Sequence, residues 1–248
     1  MKKIFKRIFW GIAIIIVIVI IFAVGFFMKM KSEVKTMHPS ETKELVSNIF
    51  SVKDVFVNLY FIKDSNNYVA IDAGNDIENI TKELKKVNIN PDNVVAVFLT
   101  HTDQDHVAAI KLFKNAKVYL SKVEELMLQG KKHKIFFITN KISTKDYILL
   151  DDQQTISIGN IKVKGYLMPG HTSGSMAYLI NDKYLFTGDA LGLKDGKLIP
   201  MNKFFNMDNE QSIKSIANIT KIDSAEYIFT AHHGFTNDYK NAVKDWGK

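Results

Sequence analysis

The chain has 248 residues, 46% hydrophobic and 24% charged, with 33 Lys+Arg, 26 Asp+Glu and no cysteine, which excludes disulfides and a lipid-modified cysteine anchor. The net charge of +7 does not mark a nucleic-acid surface. Residues 1–35 hold seven Lys/Arg and one Glu, leaving 26 basic and 25 acidic residues elsewhere. In chain order, Lys2, Lys3, Lys6 and Arg7 precede residues 8–28, an uncharged apolar run about long enough to span a bilayer. Lys29, Lys31 and Lys35 follow with Glu33, so the positive-inside bias favours a cytoplasmic N-terminus and an external remainder. Ala23-Val24-Gly25 has the small-x-small form of a signal-cleavage site, but the apolar run exceeds the core of such signals and favours an uncleaved anchor over residues 1–28. Residues 29–44 are polar and read as a stalk. Residues 45–248 form one domain, long enough for a sizeable core.

Within that domain, strands are expected at 55–62, 68–71, 94–99, 117–120, 161–167, 176–180, 184–187 and 227–230, and helices at 77–87, 105–113, 210–219 and 239–246. This mix suggests two sheets covered by helices. The run 94–99 has the β-branched content of a strand buried on both faces, and Thr100-His101-Thr102-Asp103-Gln104-Asp105-His106 follows it directly. Two imidazoles and two carboxylates in six residues, on a loop at a strand end, can converge on one or two cations. Later strand ends carry matching groups: His171 in Met168-Pro169-Gly170-His171-Thr172, Asp189 in Gly188-Asp189-Ala190, and His232 and His233 in Ala231-His232-His233-Gly234. Five of the seven histidines thus lie at strand ends. His38 and His133 lie elsewhere and read as solvated surface groups, His133 within the basic stretch Lys131-Lys132-His133-Lys134. Asp72, before Ala73-Gly74, reads as a carboxylate bonding turn amides.

The order and spacing of these motifs resemble the metallo-β-lactamase superfamily, whose signature is H-x-H-x-D-H followed by a later His, Asp and His. Val57-Asn58-Leu59-Tyr60, Ala70-Ile71-Asp72-Ala73-Gly74 and Pro169-Gly170-His171-Thr172-Ser173-Gly174-Ser175 are also similar to that family. The resemblance implies an α+β fold, the four-layer αβ/βα sandwich, preceded by one transmembrane helix. It implies that His101 and His171 hold a first divalent metal, Asp105, His106 and a terminal histidine a second, and that Asp189 bridges them. His232 follows a small residue and suits the terminal position better than His233. Where the family has its second histidine, this chain has Asp103, a harder donor that adds oxygen to the first site and makes iron or manganese an option beside zinc.

The implied function is a metallo-hydrolase at the cell membrane. A metal-bound hydroxide oriented by Asp105 would attack an ester, lactone, thioester or similar small substrate, and Phe204-Phe205 would offer an apolar wall. The alternatives are a di-iron oxidoreductase of flavodiiron-like type, supported only by the carboxylate at Asp103, and a non-catalytic metal-binding surface module.

Overall fold

The structure is a computed structural model that describes residues 2–135 and 137–247. Contacts divide the chain into two units, 1–37 and 38–248. The first unit is one helix, α1 (Lys2–Val34), with its apolar side chains exposed all round. It is long and apolar enough to cross a membrane, with a mean hydropathy of 3.2 over an 18-residue window. At roughly 1.5 Å per residue its 33 residues outreach a ~30 Å hydrocarbon layer, so the helix runs on past the apolar stretch through Lys29, which pairs with Glu33 one turn later.

The expected stalk over 29–44 is therefore divided. Its first residues continue the helix, and its last belong to the second unit. There the His38 amide donates to the His232 carbonyl at 2.7 Å, and the Ser40 amide donates to Asn58 Oδ1 at 2.7 Å.

In chain order the second unit contains β1 (Lys43–Val46), β2 (Ile49–Asp54), β3 (Val57–Asp64), β4 (Asn67–Ile71), α2 (Ile77–Lys86), β5 (Val94–Phe98), α3 (Gln104–Val107), β6 (Lys117–Ser121), α4 (Glu125–Leu128) and β7 (Tyr147–Leu150). There follow β8 (Thr155–Ile158), β9 (Ile161–Leu167), β10 (Met176–Ile180), β11 (Tyr184–Phe186), β12 (Leu191–Lys194), β13 (Lys197–Pro200), α5 (Asn209–Ile219), β14 (Tyr227–Phe229), β15 (Phe235–Thr236) and α6 (Tyr239–Val243). Strands β1 to β7 form one sheet in sequence order. A second sheet runs β15-β14-β11-β10-β9-β8, and β12-β13 is a separate hairpin.

Alternation along the strands builds three apolar layers. In β10, Met176, Tyr178 and Ile180 enter the layer between the sheets, while Ala177 and Leu179 point outward. The central layer also receives Tyr60, Ile71 and Phe98 from the first sheet and Phe186 and Phe229 from the second. On the outer face of the first sheet, Phe61, Val97 and Leu120 pack with Ile80 and Leu84 of α2. Asp76 caps that helix by accepting from the amides of Glu78 and Asn79, and Lys85 and Lys86 lie in its last turn, where cations complement the helix dipole. On the outer face of the second sheet, Leu179, Leu185 and Ile228 pack with Ile216 and Ile219 of α5 and Tyr239 of α6. Helices outside two facing sheets make the expected αβ/βα sandwich.

Local boundaries differ from the sequence reading. The strand expected over 55–62 begins at Val57, because Val55 has a positive φ of 58° in the turn that joins β2 to β3. The helix expected over 105–113 is split, with α3 ending at Val107 and a single short turn at Ile110–Leu112. The last helix stops at Val243.

Candidate metal centre

Parallel register brings the chemistry to one edge of the sandwich. Strands β4 and β5 pair Ile71 with Phe98, so Asp72 and Thr100 emerge side by side. Strands β11 and β14 pair Phe186 with Phe229, so Asp189 and His232, each three residues further on, emerge together. The amide of Met176, at the start of β10, donates to the Thr100 carbonyl at 2.8 Å and ties the second sheet to the His101 loop. Two glycines allow this closeness. A Cβ on Gly188, at φ 51°, would collide with Thr100, and one on Gly174 would collide with the backbone of Glu124.

All seven expected ligand residues meet there. Their side-chain donor atoms form three overlapping groups, each with its atoms within 4.8 Å of one another: His101, Asp103 and His171; His101, His106 and Asp189; Asp105, His106 and His232. Asp189 joins the groups. Its Oδ1 lies 3.0 Å from His232 Nε2 and 3.3 Å from His106 Nε2, and its Oδ2 lies 3.3 Å from His171 Nε2 and 4.0 Å from His101 Nε2. Asp105 Oδ2 is 3.5 Å from His232 Nε2 and 3.6 Å from His106 Nε2. His233 falls outside these groups and packs over Gly192. His38 is exposed, and His133 is half-buried with Nδ1 3.2 Å from the Ile138 carbonyl.

Each clustered imidazole is held from behind through Nδ1, which leaves Nε2 facing the cluster. His106 Nδ1 lies 2.8 Å from Asp72, His232 Nδ1 2.7 Å from the Phe56 carbonyl, His101 Nδ1 3.1 Å from Thr100 Oγ1 and His171 Nδ1 3.3 Å from Asn206 Oδ1. The reading of Asp72 as a carboxylate serving turn amides is thus incomplete. It accepts from the Thr100 amide and hydroxyl, and it also orients His106.

Charge within the cluster is strongly coupled. Burial disfavours ionisation of Asp189, yet the surrounding imidazoles of His232, His106 and His171 hold its carboxyl well below the usual range. Burial likewise opposes a proton on His106 and His232, but Asp189 and Asp105 raise both, His106 well above the ordinary histidine value. The negative potential that keeps protons on these two rings is the kind that attracts a divalent cation. His171 behaves oppositely: burial and the neighbouring Lys134 lower it to about 4. Burial also opposes ionisation of Asp103, and Lys134 with the His101 and His171 imidazoles overcomes this, holding the carboxyl well below its usual range.

Three contributors have no motif of their own. Glu124 is fully buried and accepts from the Thr102 amide and hydroxyl and from the Thr172 hydroxyl, thereby stapling the His101 loop to the His171 loop. Burial raises its carboxyl above the ordinary value, although these donors favour the charged form. Lys134, expected on a solvated basic stretch, instead points inward, pairing with Asp103 and lying 2.8 Å from His171 Nε2. Asn140 donates to Thr102 Oγ1 at 3.0 Å and to Asp103 Oδ1 at 3.2 Å. Proximity to the basic run gave no signal for Lys134, and nothing local marks Glu124 or Asn140.

The sequence model of the metallo-beta-lactamase superfamily matches residues 52–232. A probable polyketide biosynthesis zinc-dependent hydrolase of Bacillus subtilis (strain 168) is 38% identical over 138 residues, 53% of this chain and 54% of that protein. A hydroxyacylglutathione hydrolase of Buchnera aphidicola subsp. Baizongia pistaciae is 29% identical over 192 residues, 74% of this chain and 66% of that protein. The matched region thus spans between about half and two thirds of these relatives' length. Among solved structures, a subclass B3 metallo-β-lactamase of Bradyrhizobium japonicum superposes with a TM-score of 0.62 at 16% identity, covering 79% of each chain, a likeness of fold. Motif order, sandwich and ligand cluster agree with the family match, and the chain belongs to the metallo-β-lactamase superfamily.

Proposed function

We propose that this chain is a metal-dependent hydrolase that cleaves an acyl bond of a small molecule (ester, lactone or thioester) at the cell membrane. The observation that carries the reading is a set of buried donors facing one another without hydrogen bonds. His101 Nε2, His106 Nε2 and Asp189 Oδ1 have no hydrogen-bond partner, although His106 Nε2 and Asp189 Oδ1 are only 3.3 Å apart. Buried polar atoms without partners are expensive to leave so, and several converging on one point suit a cation. Imidazole and carboxylate donors fit zinc, and a curated relative is named a zinc-dependent hydrolase. Asp105, His106 and His232 would hold one ion, His101, Asp103 and His171 would offer a second position, and Asp189 reaches both.

When bound, a divalent cation supplies Lewis acidity to the scissile carbonyl and makes water acidic enough to attack near neutral pH. The residues supply orientation and shape. Asp105, 22% exposed and, unlike Asp103, without a lysine partner among the described residues, is the carboxylate free to accept a proton from entering water. One aromatic wall stands at His232, and an aromatic pair lies next in sequence to the residue that contacts His171. Phe56 stacks on His232 with ring centroids 5.8 Å apart, and half-buried Phe204 and Phe205 precede Asn206 at His171. Such walls favour an acyl chain over a charged phosphoryl group, and the name of the hydroxyacylglutathione relative favours an acyl substrate too.

Helix α1 is read as an uncleaved anchor. Lys2, Lys3, Lys6 and Arg7 before the apolar run, against Lys29, Lys31, Lys35 and Glu33 after it, favour a cytoplasmic N-terminus and an external catalytic unit. The test is a screen of the full chain against thioester, lactone, ester, phosphodiester and cephalosporin reporters with zinc, manganese or iron supplied. Acyl hydrolysis supported by zinc and lost in His106→Ala is expected. Turnover of none of the acyl reporters with any of the three metals would refute the reading.

A further inference from the structure

We propose that Lys134 is the resident cation of the first ligand group, so that this chain takes up one divalent ion, in the group of Asp105, His106 and His232, and not two. The inference rests on the metal-dependent reading above and concerns which of its positions is open. Lys134 comes from the segment between α4 and β7, away from the strand ends that carry the ligands, yet only 16% of its side chain is exposed. Its ammonium pairs with Asp103 Oδ2 and lies 2.8 Å from His171 Nε2. Those two atoms also face each other at 3.2 Å, and Asp103 Oδ2 faces His101 Nε2 at 3.5 Å. The ammonium therefore engages two of the three donors that would make the first site.

Donor capacity excludes sharing. A neutral imidazole has one lone pair, so His171 Nε2 either accepts from Lys134 or binds a metal. Asp103 keeps spare lone pairs, so the exclusion rests on His171; Asp103 Oδ1 is nonetheless turned to Asn140, which also donates to Thr102 Oγ1. The other group differs in each respect. Among the described residues no lysine or arginine pairs with Asp105, and the near neighbours of its carboxylate are His106 and His232.

Charge agrees with the contacts. Lys134 balances Asp103, and one divalent ion balances Asp105 and Asp189. Counted over Lys134 and these three carboxylates alone, a second divalent ion leaves an excess of positive charge, to be offset only by groups outside the ligand set such as Asp72 behind His106 or a bound anion. Loss of the Lys134 charge should therefore open the first position, and a guanidinium in its place should keep it closed.

The test is metal content. The full chain in detergent is loaded with excess zinc, desalted, and analysed by native mass spectrometry and elemental analysis beside Lys134→Met, Lys134→Gln, Lys134→Arg and His106→Ala. About one zinc per chain is expected in the parent and in Lys134→Arg, about two in Lys134→Met and Lys134→Gln, and essentially none in His106→Ala. Two zincs in the parent overturn the proposal, as does a single zinc in both neutral variants when circular dichroism shows them folded. Parent-level zinc in His106→Ala also overturns it, by placing the ion elsewhere. A parent chain that retains no zinc contradicts the metal-dependent reading itself, so the two failures are distinguishable. The pair of neutral variants keeps the test decisive if one of them fails to fold.

Discussion

His106 and His171 follow strand ends, are fully buried, and aim Nε2 at Asp189 from 3.3 Å in both cases. Behind the rings the two differ. His106 is backed by the carboxylate of Asp72 at 2.8 Å, and His171 by the amide oxygen of Asn206 at 3.3 Å. In front they differ again, because Lys134 stands before His171 and pairs with Asp103. The consequence is opposite basicity: the carboxylates around His106 raise it well above the ordinary value despite burial, while burial and Lys134 bring His171 to about 4. Identical side chains in one cluster thus acquire opposite basicity through the groups that surround them.

The comparison can be broken most severely at His106. His106→Ala should bring hydrolysis to background, whereas loss of His171 should leave retained zinc unchanged while altering turnover. Elemental analysis and reporter kinetics on both variants separate the two groups, and equal zinc loss from both would erase the distinction drawn between them. A smaller effect is expected behind the ring. Asp72→Asn should weaken zinc affinity about 10- to 100-fold with the domain still folded, measured by competition with a chromogenic chelator. An affinity equal to the parent's would show that the carboxylate behind His106 is dispensable.

Glu124 staples the His101 loop to the His171 loop, so its loss should register in stability. Glu124→Ala leaves the Thr102 and Thr172 hydroxyls and the Thr102 amide without their buried acceptor, an expected destabilisation of roughly 1–3 kcal/mol, read as a lower denaturation midpoint. An unchanged midpoint would mean that water or a neighbour replaces the carboxylate. The smallest effect is expected at Asn206. Asn206→Ala removes the partner of His171 Nδ1 and should leave zinc content unchanged, because the ring it supports faces Lys134. Zinc loss in that variant would move the metal toward the first group.

Much of this cluster was legible in the sequence because each ligand closes an apolar run. His101, His171, Asp189 and His232 lie in loops that follow strands, and Asp105 and His106 come just after on the short helix α3, so a one-dimensional pattern suffices to locate them. The sandwich was legible for the same reason in β5 and β10, whose residues are apolar on both faces. Strands β1, β2, β7, β8, β12, β13 and β15 were not recognised. All but β2 have four residues or fewer, and β2 mixes its apolar residues with Ser51, Lys53 and Asp54, so the periodic signal is too short or too broken to mark them. Glu124, Lys134 and Asn140 were illegible for another reason. Each reaches the cluster from loops or short elements between β6 and β7, and only tertiary packing turns them inward. Asp103 shows the combined effect. The sequence marks it as a departure from the family signature, but its partner Lys134 becomes visible only in the folded chain.

The most direct test of metal-dependent hydrolysis is turnover of an acyl reporter by the full chain after chelator stripping and again after zinc is restored, with His106→Ala in parallel. Activity that disappears on stripping and returns with zinc in the parent but not in His106→Ala is the predicted result. Undiminished turnover by protein verified to be metal-free, or equal recovery in His106→Ala, would contradict it.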